Sequence, residues 1–134
     1  MPGETEARLR AMWAHFKATG DPRLDEDFDP EVEWHLRADL PDSTTLRGHE
    51  GVKRLFADWT EAFEDLQIEP VEISEVASRT IAVLHFRGRI KGSGQTVEMD
   101  EVWVYSWREK KVREIREYRT KDEALRSLSS AADR

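Results

Sequence analysis

Apolar positions along the first half of the chain fall at helical spacing. Leu9, Met12, Trp13 and Phe16 recur at i, i+3, i+4 and i+7, one stripe of an amphipathic helix that Gly20-Asp21-Pro22 stops. Leu24 and Phe28 suggest a single helical turn before Asp29-Pro30. Val32, Trp34 and Leu36 alternate, which predicts a strand over 31–37, followed by the polar loop ADLPDSTTLRG. Val52, Leu55, Phe56, Trp59, Phe63 and Leu66 restore the helical period, and this whole stripe is read as one helix.

The second half changes period. Ile68, Val71, Ile73 and Val76 suit a strand with Pro70 near its start. Over 80–91, Ala82, Leu84 and Phe86 face one way and Ile81, Val83, His85, Arg87 and Arg89 the other. Lys91-Gly-Ser-Gly94 reads as a turn, and 96–108 as a long strand. That strand carries DEVWVYSW, which sets Glu101, Trp103, Tyr105 and Trp107 on one face. After a turn at 108–111, a last strand runs through Val112, Ile115 and Tyr118. Thr120, three before Glu123, has capping-box spacing and opens a short terminal helix with Ala124, Leu125 and Leu128, beyond which SSAADR reads as frayed. Helices first and meandering strands after predict one α+β domain over 1–134, with a core of about 5–128 and helices on one face of an antiparallel sheet.

Charge and composition narrow the partners. The net charge is -7, with no basic stretch free of acids, which argues against nucleic acid and against anionic membrane surfaces. No cysteine is present, so disulfides and thiolate chemistry are excluded. MPGETEARLR lacks the apolar segment of a signal peptide, and no apolar run is long enough to cross a bilayer; the expectation is a soluble, cytoplasmic protein. Charged residues make up 37% of the chain, yet it holds five Trp, the mark of a solvated shell around an aromatic interior.

The order of these pieces carries a resemblance. A Trp-bearing helix is followed by DPEVEWH, then by a loop closing on LRGHEGVKRLFADWTEAF; next come GRIKGSGQTVEMDEVWVYSW and KKVREIREYRTKDEAL. Over roughly residues 5–128 this resembles the SnoaL-like branch of the NTF2-like superfamily, which includes ketosteroid isomerase, limonene epoxide hydrolase, polyketide cyclases and scytalone dehydratase. The resemblance implies an NTF2-like cone: a curved antiparallel sheet packed on three N-terminal helices, a short C-terminal helix, an apolar pocket at the open end, and a homodimer through the outer sheet face. The helix-facing side of each long strand would line that pocket. It would present Ala82, Leu84, Phe86 and Gly88, then Met99, Glu101, Trp103 and Tyr105, then Ile115, Glu117 and Arg119 if no bulge shifts the register.

The chemistry is less legible. Ketosteroid isomerase needs a carboxylate base after the first strand and an oxyanion hole of a Tyr and a protonated Asp. Those positions fall on Trp34 or Leu36, on Trp13 and on Trp103, and none supplies a base or an acid. Epoxide hydrolysis of the limonene type needs two carboxylates bridged by an Arg around one water. Glu101, Glu117 and Arg119 have those residue types without the family's order; the plain reading is a cross-strand ion pair. Glu101 is expected to have a raised pKa if it is desolvated without a partner. His35 follows Trp34 and could act as acid or base, while alternation turns it outward.

His85 shares a face with Arg87 and Arg89, and His15 and His49 lie on or beside helices without a second ligand at metal spacing, so no metal site and no cofactor is expected. The Gly-Ser-Gly at 92–94 lacks the helix and Lys of a phosphate loop, and Ser93 has no triad partners. The reading is therefore a small, largely apolar ligand bounded by Trp13, Trp34, Trp59, Phe63, Leu84, Phe86, Trp103, Tyr105 and Arg119, with Glu101, Glu117 and His35 as catalytic candidates. Isomerase, cyclase, dehydratase and epoxide hydrolase chemistries all stay open. The competing class is a non-catalytic ligand-binding or dimerisation module whose aromatic row is closed core. A cavity of ~300 Å³ or more with a carboxylate at its wall would separate them, and the loop at 38–47 is a candidate lid.

Overall fold

The computed structural model describes residues 2–37 and 44–132. Three helices come early: α1 (Pro2–Thr19), α2 (Leu24–Asp27) and α3 (Gly48–Ala62). Between and after them lie β1 (Phe28–His35), β2 (Thr45–Arg47), β3 (Phe63–Val76), β4 (Arg79–Ile90), β5 (Thr96–Arg108) and β6 (Lys111–Tyr118), and α4 (Lys121–Ala132) closes the described chain. The six strands form one curved sheet in the order β2-β1-β6-β5-β4-β3. The α+β cone is as expected, except that the sheet is mixed. β1 runs parallel to β6, because the chain crosses from one edge of the β3–β6 meander to the other through α3.

Tight hairpins hold the meander. Ala77 and Ser78 (φ 53° and 66°) join β3 to β4, and Glu109 and Lys110 (φ 51° and 71°) join β5 to β6. Both are two-residue loops with two positive φ angles, the turn whose twist matches paired strands. Lys91–Gly94 turns β4 into β5, with Ile90 N–H bonded to Gln95 O at 2.9 Å.

Three boundaries depart from the sequence pattern. Phe28 starts β1 opposite Val112 instead of ending a helical turn, and Pro30 sits where the β1–β6 register slips between Phe28 and Glu33, a place that spares a missing N–H. β2 lies inside the stretch read as loop and pairs Trp34 with Leu46; residues 38–43 of the candidate lid lie outside the described residues. The largest change is at the end of α3. The stripe through Phe63 and Leu66 is not one helix: Phe63 is already extended (φ -125°, ψ 146°) and pairs with Ile90. A bulge at Asp65 (φ 54°), between Glu64 and Gln67, then spaces Phe63 and Leu66 by three on a strand. A bulged strand and a helix can share that spacing, so periodicity alone could not separate them.

The main core lies between α1, α3 and the inner sheet face, and includes Leu9, Trp13, Phe28, Trp34, Trp103 and Tyr105. α4 packs on the opposite face, where Ala124 and Leu128 cover Ile81, Val102 and Val104. It thus occupies part of the face on which the resemblance places a dimer contact. Thr120 Oγ1 accepts from the Glu123 N–H at 3.2 Å, as a capping residue should, and the helix backbone continues through the expected frayed stretch to Ala132. Among the described residues, no helix is long and apolar enough to cross a membrane.

Candidate functional site: a carboxylate pair in an aromatic cavity

The strand register decides which side chains look inward. Ala82 pairs with Trp103, Leu84 with Glu101, Phe86 with Met99 and Gly88 with Val97. Trp103 in turn faces Glu117 on β6, and Tyr105 faces Ile115. The β5–β6 irregularity falls between Ser106 and Trp107, beyond these rows, so Glu101 and Glu117 keep their inward parity.

At the wide end the inner face does not fill. A cavity of about 250 Å³ remains there, slightly under the ~300 Å³ at which ligand pockets ordinarily begin. β4, β5 and β6 supply Phe86, Met99, Glu101, Trp103 and Glu117, α3 supplies Leu55 and Trp59, and the start of β3 supplies Phe63 and Leu66. Gly88 leaves room for that last pair: a Cβ there would lie 3.1 Å from Leu66 Cδ1 and 3.3 Å from Phe63 Cδ1. Met99, 44% exposed, stands at the rim.

Two carboxylates reach this apolar space, and each is held by an indole. Trp103 Nε1 donates to Glu101 Oε1 at 2.9 Å, and Trp34 Nε1 donates to Glu117 Oε2 at 2.7 Å. Arg37 Nη1 donates to the other Glu101 oxygen at 3.0 Å, while the Arg37 backbone N–H bonds Glu117. Burial pushes the Glu117 carboxyl up, the neighbouring Glu101 charge adds to the push, and the bonds from Trp34 and Arg37 pull back; it settles at about 8. Glu117 is thus a neutral acid at pH 7. Glu101 accepts one N–H on each oxygen, from Arg37 and from Trp103. Arg37 gives Glu101 a charged partner, so the condition attached to the Glu101 expectation is not met; among the described residues no ion pair is made by Glu117.

The other expected residues separate into groups. Trp59, Phe63, Phe86 and Trp103 line the cavity. Trp34 stands behind it, holding Glu117. Trp13, Leu84 and Tyr105 are buried in the core and are not among the lining residues. Arg119 lies past the end of β6, is 56% exposed and donates to Glu123, so it does not bridge the acids. Arg37 takes that place. Alternation along the expected strand over 31–37 turned Arg37 outward with His35, but β1 ends at His35, and beyond it Arg37 reaches Glu101 on β5.

His35 is on the outer face, opposite Trp34. Its Nδ1 is 2.9 Å from Thr45 Oγ1 and its Nε2 3.3 Å from Glu114. Glu33, His35 and Glu114 bring one ligand atom each within 4.8 Å of one another, but the acids already pair with Arg47 and Arg116.

The SnoaL-like domain family matches residues 6–115 of this chain. Among solved structures, the chain is similar to Bal32a from a soil-derived mobile gene cassette (TM-score 0.74, 17% identity, 92% of this chain and 95% of that one). It is also similar to TerC, co-crystallized with polyporic acid (TM-score 0.72, 20% identity, 93% and 97%). An NTF2-like protein from Burkholderia xenovorans LB400 aligns with a TM-score of 0.67 at 24% identity (94% and 96%). These likenesses establish the fold. No curated protein matches the chain.

Proposed function

This chain belongs to the SnoaL-like domain family, and from the chemistry inside its cone we propose that it binds a small, largely apolar molecule and opens an epoxide on it with water. One observation carries this reading: a neutral Glu117 and an Arg37-held Glu101 on adjacent strands at the wall of one apolar cavity. Glu117 gives its proton to the epoxide oxygen as the C–O bond breaks. Glu101 takes a proton from the water whose oxygen forms the new C–O bond. Each Glu101 oxygen accepts one N–H and keeps a second lone pair for that proton. The product is a vicinal diol, and the two acids exchange a proton to return to the starting state. A volume of about 250 Å³ suits one or two rings and not a tetracycle. The likeness to TerC, co-crystallized with polyporic acid, is compatible with a small organic ligand. The competing reading, a non-catalytic ligand-binding or dimerisation module with a closed aromatic core, would leave epoxides untouched.

The test is diol formation from small cyclic and aryl epoxides in ¹⁸O-water. The expected result is one labelled oxygen per diol, kcat/KM falling as pH rises through about 8 as Glu117 ionises, and losses of about 100-fold or more in both Glu117→Gln and Glu101→Gln. Epoxides that quench tryptophan fluorescence and yet are not hydrolysed would reduce the reading to binding alone.

A further inference from the structure

The cavity wall has an unbalanced charge inventory and an aromatic lining. Arg37 answers Glu101. Arg87 lies at the rim, but it is 62% exposed and reaches Glu98 on the outer face. Among the described residues, the charged groups that bear on Glu117 are Glu101 and Arg37, and Arg37 is already shared with Glu101. Around these groups stand the rings of Trp59, Trp103, Phe63 and Phe86, with the Trp103 centroid 6.3 Å from that of Trp59 and 5.5 Å from that of Phe86. Ring faces attract cations, and a dry aromatic box with a carboxylate is the way proteins recognise quaternary ammonium groups.

We infer that the cavity binds a small organic ammonium ion carrying apolar substituents, with the cation against Glu117 and its substituents against Trp59, Trp103, Phe63 and Phe86. The cation drives off the Glu117 proton to solvent, because its positive charge against the carboxylate opposes the two causes that keep that proton bound, burial and the Glu101 charge. An occupied site has no acid proton left, so such cations also inhibit any reaction that needs Glu117 as an acid. This inference uses the same cavity but does not require the hydrolytic reading.

The experiment compares benzyltrimethylammonium with its neutral isostere neopentylbenzene, by calorimetry and tryptophan fluorescence, on the intact protein. The quaternary ion does not titrate, so any pH dependence belongs to the protein. With Glu117 at about 8, the affinity for the cation should rise about 50-fold between pH 6 and pH 8 and then level off. The isostere should show no rise, and should bind about tenfold or more weakly at pH 9. Calorimetry at pH 6.5 in phosphate and in Tris should show close to one proton released per cation bound. Glu117→Gln should abolish the pH dependence while still binding neopentylbenzene, which reports that the cavity is intact. No binding of the cation, a flat pH profile, or equal affinity for the isostere at pH 9 would each overturn the inference; the wild-type data alone decide it if the variant does not fold. Binding is read without turnover, so inert epoxides would leave this result standing, and a failed cation titration would leave the hydrolase assay untouched.

Discussion

Two ends of one inner sheet face can be compared directly, because β5 runs through both. At the narrow end, Tyr105, Phe28, Leu9 and Trp13 are all at most 2% exposed, and aromatic rings fill the space. Two rows along, at Glu101 and Met99, the same strand borders a cavity. The residue types hardly differ; the treatment of polar groups does. The Tyr105 hydroxyl and the Trp13 indole N–H are buried close to each other, but neither makes a bond of hydrogen-bond geometry, and burial pushes the Tyr105 phenol far above its usual value. At the wide end both indoles that face an acid are used as donors, to Glu101 and Glu117. The aromatic side chains leave no room at the closed end, and at the other end they stop short and hold carboxylates in place. The polar cost falls at the cavity: a buried acid with a neighbouring charged carboxylate is unfavourable for folding, and groups perturbed in this way cluster at functional sites.

The largest effect should come from emptying the closed end. Phe28→Ala is expected to cost about 3–5 kcal/mol in urea unfolding, and Phe86→Ala, at the cavity wall, distinctly less, because part of its surface already faces open space. Equal losses would erase the distinction between the two ends.

The next effect is a pH slope. The Glu117 carboxyl lies at its ordinary 4.5 in the unfolded chain and at about 8 in the folded one. Between those values the folded protein holds a proton that the unfolded chain has released. Stability therefore falls as pH rises from about 4.5 to about 8 and levels above that, by at most about 1.4 kcal/mol per pH unit and a few kcal/mol in all. Unfolding of wild type and Glu117→Gln at pH 5, 6.5, 8 and 9 should show the slope in the first and a flatter profile in the second; parallel profiles would mean that Glu117 is not held neutral.

The smallest effect tests the unused hydroxyl. Tyr105→Phe should leave stability within about 1 kcal/mol of wild type or raise it, since the hydroxyl is buried without a partner. A loss of several kcal/mol would reveal a hydrogen bond to Trp13 and narrow the difference between the ends.

Much of the fold was legible in the chain itself. The stripe at Leu9, Met12, Trp13 and Phe16, the alternation from Ile81 to Phe86 and from Glu101 to Trp107, and the capping Thr120 each state a local period, and local periods survive folding because a side chain's face follows from backbone geometry. Inward placement of Glu101 and Glu117 followed from the same rule. What the sequence could not state was where a period ends. Phe63 and Leu66 fit a helix as well as a bulged strand, and only pairing with Ile90 and the kink at Asp65 decided between them. The parallel β1–β6 contact and the seating of α4 on the outer face are long-range pairings with no local signature. The same limit hid Arg37, which leaves the strand two residues after His35 and meets Glu101 across 64 positions of chain. The raised pKa of Glu117 was equally out of reach, because it is set by burial and by the charges and donors that tertiary structure brings to the carboxyl, and not by its neighbours in sequence.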